Sequence, residues 1–229
     1  MITILGTPAW NATHPGGLIG LLELSGVENT SPSPLLNQRK RQVEANLRQA
    51  YNGYSRSDFL ALPVMAAYQS YYRRFDKTYH VLLQVESIAL KGKNLPQVSP
   101  LVDANFVAEV ETLVLTAGHD ADQLVQPVVI DISRPDDTLT DMSGITKSIR
   151  SGDMVMRDSL GICCTILYGQ DNRSPITSRT RHVLYVSYAP RGIPPETVLA
   201  QLNQIEQNVR LFAPQARLEQ NRLLVAEPE

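Results

Sequence analysis

Leu95 to Leu124 reads LPQVSPLVDANFVAEVETLVLTAGHDADQL, and the rest of the chain is organised around it. A Pro/Ser turn leads into Asp103, a residue suited to accept from the free N–H groups of a helix start. Phe106, Val107, Val110, Leu113 and Val114 then recur at i, i+1, i+4, i+7 and i+8, an apolar stripe for a core. Asn105, Glu109 and Thr112 form a second, polar stripe at i, i+4 and i+7. Gly118 is read as the helix stop, with His119, Asp120 and Asp122 in the loop beyond it. The spacing therefore predicts one helix with a packed face and a polar face, ending in an imidazole and two carboxylates.

Working outward, the period changes on either side. Ile2–Leu5 and Leu18–Leu24 read as strands around a loop that holds Trp10, a packing residue. Ser33-Pro34 has the form of an N-cap followed by a first-turn proline, opening a helix to about Tyr51. Its inner face would carry Leu36, Val43, Leu47 and Ala50, while Arg39, Lys40, Arg41 and Arg48 make it basic. Further helices are expected over Pro63–Arg74, with Tyr68, Tyr71 and Tyr72, and over Tyr79–Leu90.

Beyond the quoted stretch the pattern is mainly of strands. Val128–Ile132 is one, and Arg134–Asp141 reads as a polar loop. Met154–Met156 and Gly161–Tyr168 form a hairpin through Asp158-Ser159-Leu160-Gly161. Val183–Tyr188 is a further strand, Pro195–Phe212 an amphipathic helix, and Leu223–Val225 an edge strand. Helices gather in the first half and mixed or antiparallel strands in the second. The expectation is an α+β fold over residues 1–229 as a single domain.

A net charge of −2 gives no global pull toward polyphosphate, so any RNA contact must come from a local patch. Two runs are candidates: Arg39-Lys40-Arg41, and Arg73, Arg74 and Lys77 beside the tyrosines. Each reads either as a solvated cationic face or as a surface that neutralises phosphates and stacks on bases. The two cysteines are neighbours, Cys163 and Cys164, which point to opposite faces of a strand. Unpaired thiols fit a reducing cytoplasm. The chain shows no Cys/His metal spacing, no span-length apolar run, no leader-like N-terminus and no nucleophile elbow or phosphate loop. No cofactor, metal or membrane is expected on this basis, and the sequence leaves the oligomeric state open.

Pro96, Leu101-Val102-Asp103-Ala104-Asn105-Phe106-Val107 and Ala117-Gly118-His119-Asp120-Ala121-Asp122-Gln123-Leu124 together resemble the core motif of the B3/B4 domain. That domain is the editing module of the phenylalanyl-tRNA synthetase β subunit and also occurs free-standing. Val85–Ile88 and Lys91–Pro96 resemble the free-standing form, and the resemblance spans roughly Arg73 to Ala189. It implies a protein that handles tRNA or aminoacyl-tRNA, removing a misattached amino acid in trans. An activated ester needs a positioned water and no side-chain nucleophile. The resemblance matches Asn105 and Thr180 to site residues of the family. It sets Ala117 in the slot of a family His, and Val186 near that of a Glu that reads tyrosine's hydroxyl. Two polar groups of a tyrosine-editing site are thus replaced by apolar ones. His119, two residues past that slot, is the substitute candidate for catalysis, oriented by Asp120 or Glu109. Two other readings stand beside this one: a binding module without catalysis, and a small-molecule enzyme reusing the pocket.

Overall fold

The computed structural model describes residues 1–30 and 32–227. In chain order it contains β1 (Ile4–Gly6), α1 (Pro8–Thr13), β2 (Leu18–Ser25), α2 (Pro34–Ala50), α3 (Arg56–Ala61) and α4 (Pro63–Arg73). Then follow α5 (His80–Ala89), α6 (Pro100–Thr112), β3 (Thr116–Asp120), β4 (Val128–Ile132), β5 (Thr138–Thr140) and β6 (Thr146–Ser148). The chain continues through β7 (Met154–Asp158), β8 (Gly161–Thr165), β9 (Gly169–Gln170), β10 (His182–Ala189), α7 (Pro195–Arg210) and β11 (Arg217–Val225). The fold is α+β. No helix among the described residues is long and apolar enough to cross a membrane.

Two sheets form the frame. One has the order β1-β4-β7-β8-β9, with β1 parallel to β4 and the other pairs antiparallel. The other has the order β11-β2-β10-β3, antiparallel throughout. Its central strands are mainly apolar because both faces are covered: Leu18 to Leu24 of β2 are all buried, with Glu23 among them bonded to His182 and Gln220. α7 covers one face. Its Val198, Leu202, Ile205 and Val209 are fully buried, each adding about 1.5–3 kcal/mol of burial free energy. Gly20 allows that approach, since a Cβ there would lie 2.7 Å from Val198 Cγ1.

α2 follows its expected start closely: Ser33 Oγ accepts from Leu36 N at 3.1 Å and Pro34 takes the first helical position. Leu36, Val43 and Leu47 face inward, but Ala50 is exposed. Lys40 takes an inward position instead.

Four local expectations are corrected. The central helix starts after Ser99 and ends at Thr112, so Asp103 lies within it and is not its cap. Leu113 terminates it in the left-handed region at φ 64, and the apolar run that follows turns extended. Gly118 and His119 therefore sit in β3, not in a stop and a loop. The stretch after β1 forms the short helix α1, capped by Thr7, and Arg134–Asp141 contains β5. The periodicity did not mark α3, which begins at a capping box of Ser55 and Asp58. Trp10 is buried, as a packing residue should be.

Candidate functional site

A cavity of about 300 Å³ lies between α6, β3 and the β8–β9 turn. Val102, Phe106, Leu115, Ile166 and Ile176 give it an apolar wall. The polar contributors include Asn105, Thr165, Gln170 and Tyr188. A larger cavity, about 400 Å³, opens where α2 and α6 begin, but its buried carboxylate, Asp103, is already paired with Lys40. The larger cavity is lined by one residue with a buried unpartnered polar atom, Ser99. The smaller is lined by two, Asn105 and Tyr188, beside a mainly apolar wall, and is the better candidate.

Asn105 and Glu109 of the polar stripe are buried against the peptide of Thr116, while Thr112 is half-buried and donates to the Ala108 carbonyl. Asn105 Nδ2 donates to the Thr116 carbonyl at 3.2 Å, and Glu109 Oε2 accepts from the Thr116 N–H at 2.9 Å. Turning the Asn105 amide over would set two acceptors against each other, so its orientation is fixed. Asn105 Oδ1 is then left without a partner in a side chain only 5% exposed. A buried acceptor of this kind costs about 1–3 kcal/mol unless something supplies a donor. The Tyr188 hydroxyl is also buried and unpartnered, beside the Cys164 thiol. Burial pushes that thiol up to about 12, so it is inert at neutral pH.

Of the residues singled out from the sequence, Asn105 and Ala117 line this cavity. Glu109, His119, Asp120, Thr180 and Val186 do not. Glu109 is buried beneath Thr116, and burial raises its carboxyl to about 8. Val186 pairs directly with Ala117 across the β3–β10 ladder and is a core residue. Thr180 Oγ1 donates to Asp120 Oδ2 at 2.7 Å, a pair that holds the loop before β10 onto the end of β3.

His119 is fully buried in β3. Its Nδ1 lies 3.1 Å from Gln170 Nε2 and 2.8 Å from Ser174 Oγ. Gln170 Nε2 also donates to the Ser174 carbonyl, so the amide nitrogen must face this way. The imidazole therefore accepts at Nδ1 and carries its proton on Nε2, which has no partner. Burial, reinforced by the charge of Arg173, lowers its pKa to about 3. It is neutral at physiological pH and bonds to Gln170, which does line the cavity. Its link to the cavity runs through Gln170. Gln170 and Tyr188 carried no signal in the sequence: one sits in a two-residue strand, the other amid a buried run. Among the described residues, no group of three or more His, Cys, Asp or Glu side chains could hold a metal ion.

The basic runs divide. Arg39 pairs with Glu111 and Arg41 with Glu44. Lys40 is buried on Asp103, which corrects its reading as a surface cation. Arg73 and Arg74 are exposed and have no carboxylate partner among the described residues. Lys77 Nζ lies 4.2 Å from the centre of the Tyr168 ring. The nearby tyrosines are structural. Tyr68 and Tyr72 donate to the carbonyls of Tyr188 and Ile166, each at 2.6 Å, and Tyr68 stacks on Tyr79 with centroids 4.0 Å apart.

Residues 67–208 match the family described as the B3/4 domain, a span that reaches from α4 almost to the end of α7. A similar solved structure is an N-terminal fragment of the phenylalanyl-tRNA synthetase β-subunit from Pyrococcus horikoshii. It superposes with a TM-score of 0.50 over 95% of this chain and 50% of that one, at 9% identity. The likeness is one of fold, and the chain spans about half the length of that fragment. No curated protein matches the chain.

Proposed function

This chain belongs to the B3/4 domain family, and from that premise we propose that its cavity at Asn105 receives the aminoacyl end of a charged tRNA and hydrolyses the ester in trans. The observation that carries the reading is the unpartnered Asn105 Oδ1 in an otherwise apolar wall. A fixed acceptor suits a donor on the ligand, either an α-ammonium group or a water. The surrounding apolar side chains suit an apolar amino-acid side chain. Water held there adds to the ester carbonyl, the bond to the ribose oxygen breaks, and the proton passes to that oxygen. The gain comes from positioning. Asn105 holds the reacting group, while Glu109 and His119 act through Thr116 and Gln170.

On this reading Arg73, Arg74 and Lys77 carry the RNA contact, since α2 has spent its charges on Glu111, Asp103 and Glu44. Residues 1–229 act as one domain, an arrangement favoured by the pairing of β2 with β11. Two buried free thiols favour a cytoplasmic setting.

One observation favours a second reading, a binding module without catalysis: neither Glu109 nor His119 lines the cavity, and the imidazole that does, His80 at the start of α5, is exposed. A panel of correctly and incorrectly charged tRNAs separates the two. Hydrolysis above a heat-inactivated control, lost in Asn105→Ala, is the expected result. Salt-dependent retention of tRNA without cleavage selects the binding module. Neither cleavage nor retention at low salt overturns both.

A further inference from the structure

A third cavity, about 210 Å³, shares no lining residue with the one at Asn105. It is walled by His14 at the end of α1, by Ser70, Tyr71 and Arg74 from α4 and its C-terminus, and by Arg191 after β10. Both arginines are exposed at its mouth, and neither has a carboxylate partner among the described residues. At its floor His14 is 7% exposed, and its Nε2 has no hydrogen-bond partner. The ring is held by Tyr71, 5.7 Å away between centroids. Gly16, at φ +75, leaves a bare backbone across which the Arg191 stem lies.

Ordinary structural roles account for only part of this. A cation at Arg74 suits the C-terminal end of α4, where carbonyls are unsatisfied. Its guanidinium also lies 5.4 Å from the ring centres of Tyr71 and Phe75. Neither fact explains a second free arginine across the cavity, or a buried imidazole whose Nε2 is left unpartnered beside the backbone of Gly152. The Tyr71 hydroxyl is not available to a ligand, because it donates to Asp153 Oδ1 and accepts from Met154 N, each at 2.7 Å. Asp153 is the acidic group behind the wall, and that hydroxyl screens it from the cavity.

We propose that this cavity is a phosphate-binding site, with Arg74 and Arg191 as the charged clamp and His14 Nε2 sharing a proton with a phosphate oxygen at the floor. Planar guanidinium groups match the spacing of phosphate oxygens, and two of them from different elements fix its position. The phosphate can come from a free ion, a nucleotide or a polynucleotide backbone, since the recognised group is the same. Arg74 also belongs to the RNA contact proposed above, so the inorganic phosphate and nucleotide probes, whose binding the editing reading does not require, keep the two inferences distinguishable.

The test is calorimetric titration of the whole chain at fixed ionic strength with three probes: inorganic phosphate, a nucleoside monophosphate and a short single-stranded RNA. Saturable binding of at least one probe is expected. Arg74→Gln and Arg191→Gln should each weaken it about tenfold, and His14→Phe, which keeps the packed ring, should weaken it less. Arg179→Gln, an exposed arginine that does not line the cavity, should leave affinity unchanged. Binding of the RNA alone, lost in the same variants, assigns a backbone phosphodiester. No saturable binding of any probe, or full binding by the double variant R74Q/R191Q, overturns the proposal.

Discussion

Lys40 Nζ lies 2.6 Å from Asp103 Oδ2, with both side chains buried where α2 crosses α6. The ammonium also donates to the Pro96 carbonyl, and Asp103 Oδ1 accepts from Val98 N at 2.9 Å. The pair thus ties the loop before α6 to α2. Removing one partner strands a buried charge, at a cost of about 3–5 kcal/mol. Lys40→Met should therefore lower the urea midpoint sharply, and K40M with Asp103→Leu should recover much of the loss. Equal destabilisation by the single and double variants would show that the loss does not come from a stranded charge.

Glu109 sets a pH dependence of known sign. Burial raises its carboxyl from 4.5 to about 8, so the folded chain holds a proton that the unfolded chain releases. Stability from this site is full below the unfolded value, declines as pH rises, and is lost above about 8. Glu109→Gln keeps an acceptor for the Thr116 N–H and does not titrate. Unfolding free energies of wild type minus variant should fall between pH 5 and 8. A flat difference would mean that Glu109 is ionised in the fold.

His119 acts with the opposite sign. Its imidazole stays neutral down to about 3 in the fold, against 6.5 in an exposed chain. Its contribution is constant above the unfolded value and is lost as pH falls through the acid range. Nitrogen-resolved NMR should show one tautomer, protonated at Nε2, with no titration from pH 5 to 9. Any activity of the Asn105 cavity should lack an inflection from this ring. A His119 signal titrating near 6.5 would contradict its burial.

Much of this fold was legible where pattern and chemistry agreed. The Ser33-Pro34 start of α2, the β7–β8 hairpin and the buried stripe of α7 follow from spacing and turn residues alone. The central helix was misplaced by a few residues for a physical reason. Val114, Leu115 and Thr116 continue the apolar pattern of α6 but suit a strand equally well, and periodicity cannot show where the backbone turns extended. Gly118 mimics a stop signal, yet its use is close packing: a Cβ there would lie 2.7 Å from Ile176 Cδ1. The candidate site was legible at Asn105, through resemblance. It was not legible at Gln170 or Tyr188, because α6 and β3, which complete the cavity around them, lie far away in the chain. Lys40 was misread for the same reason, since its partner lies on another helix.

The pairing of β2 also bears on how the chain reaches its final state. Ser25 meets His182, and Leu18 meets Val225, so both neighbours of this mainly apolar strand come from far along the chain. Such distant closures are slow. Until they occur, Leu18 to Leu24 remain an open, greasy edge, and in refolding experiments self-association should begin there.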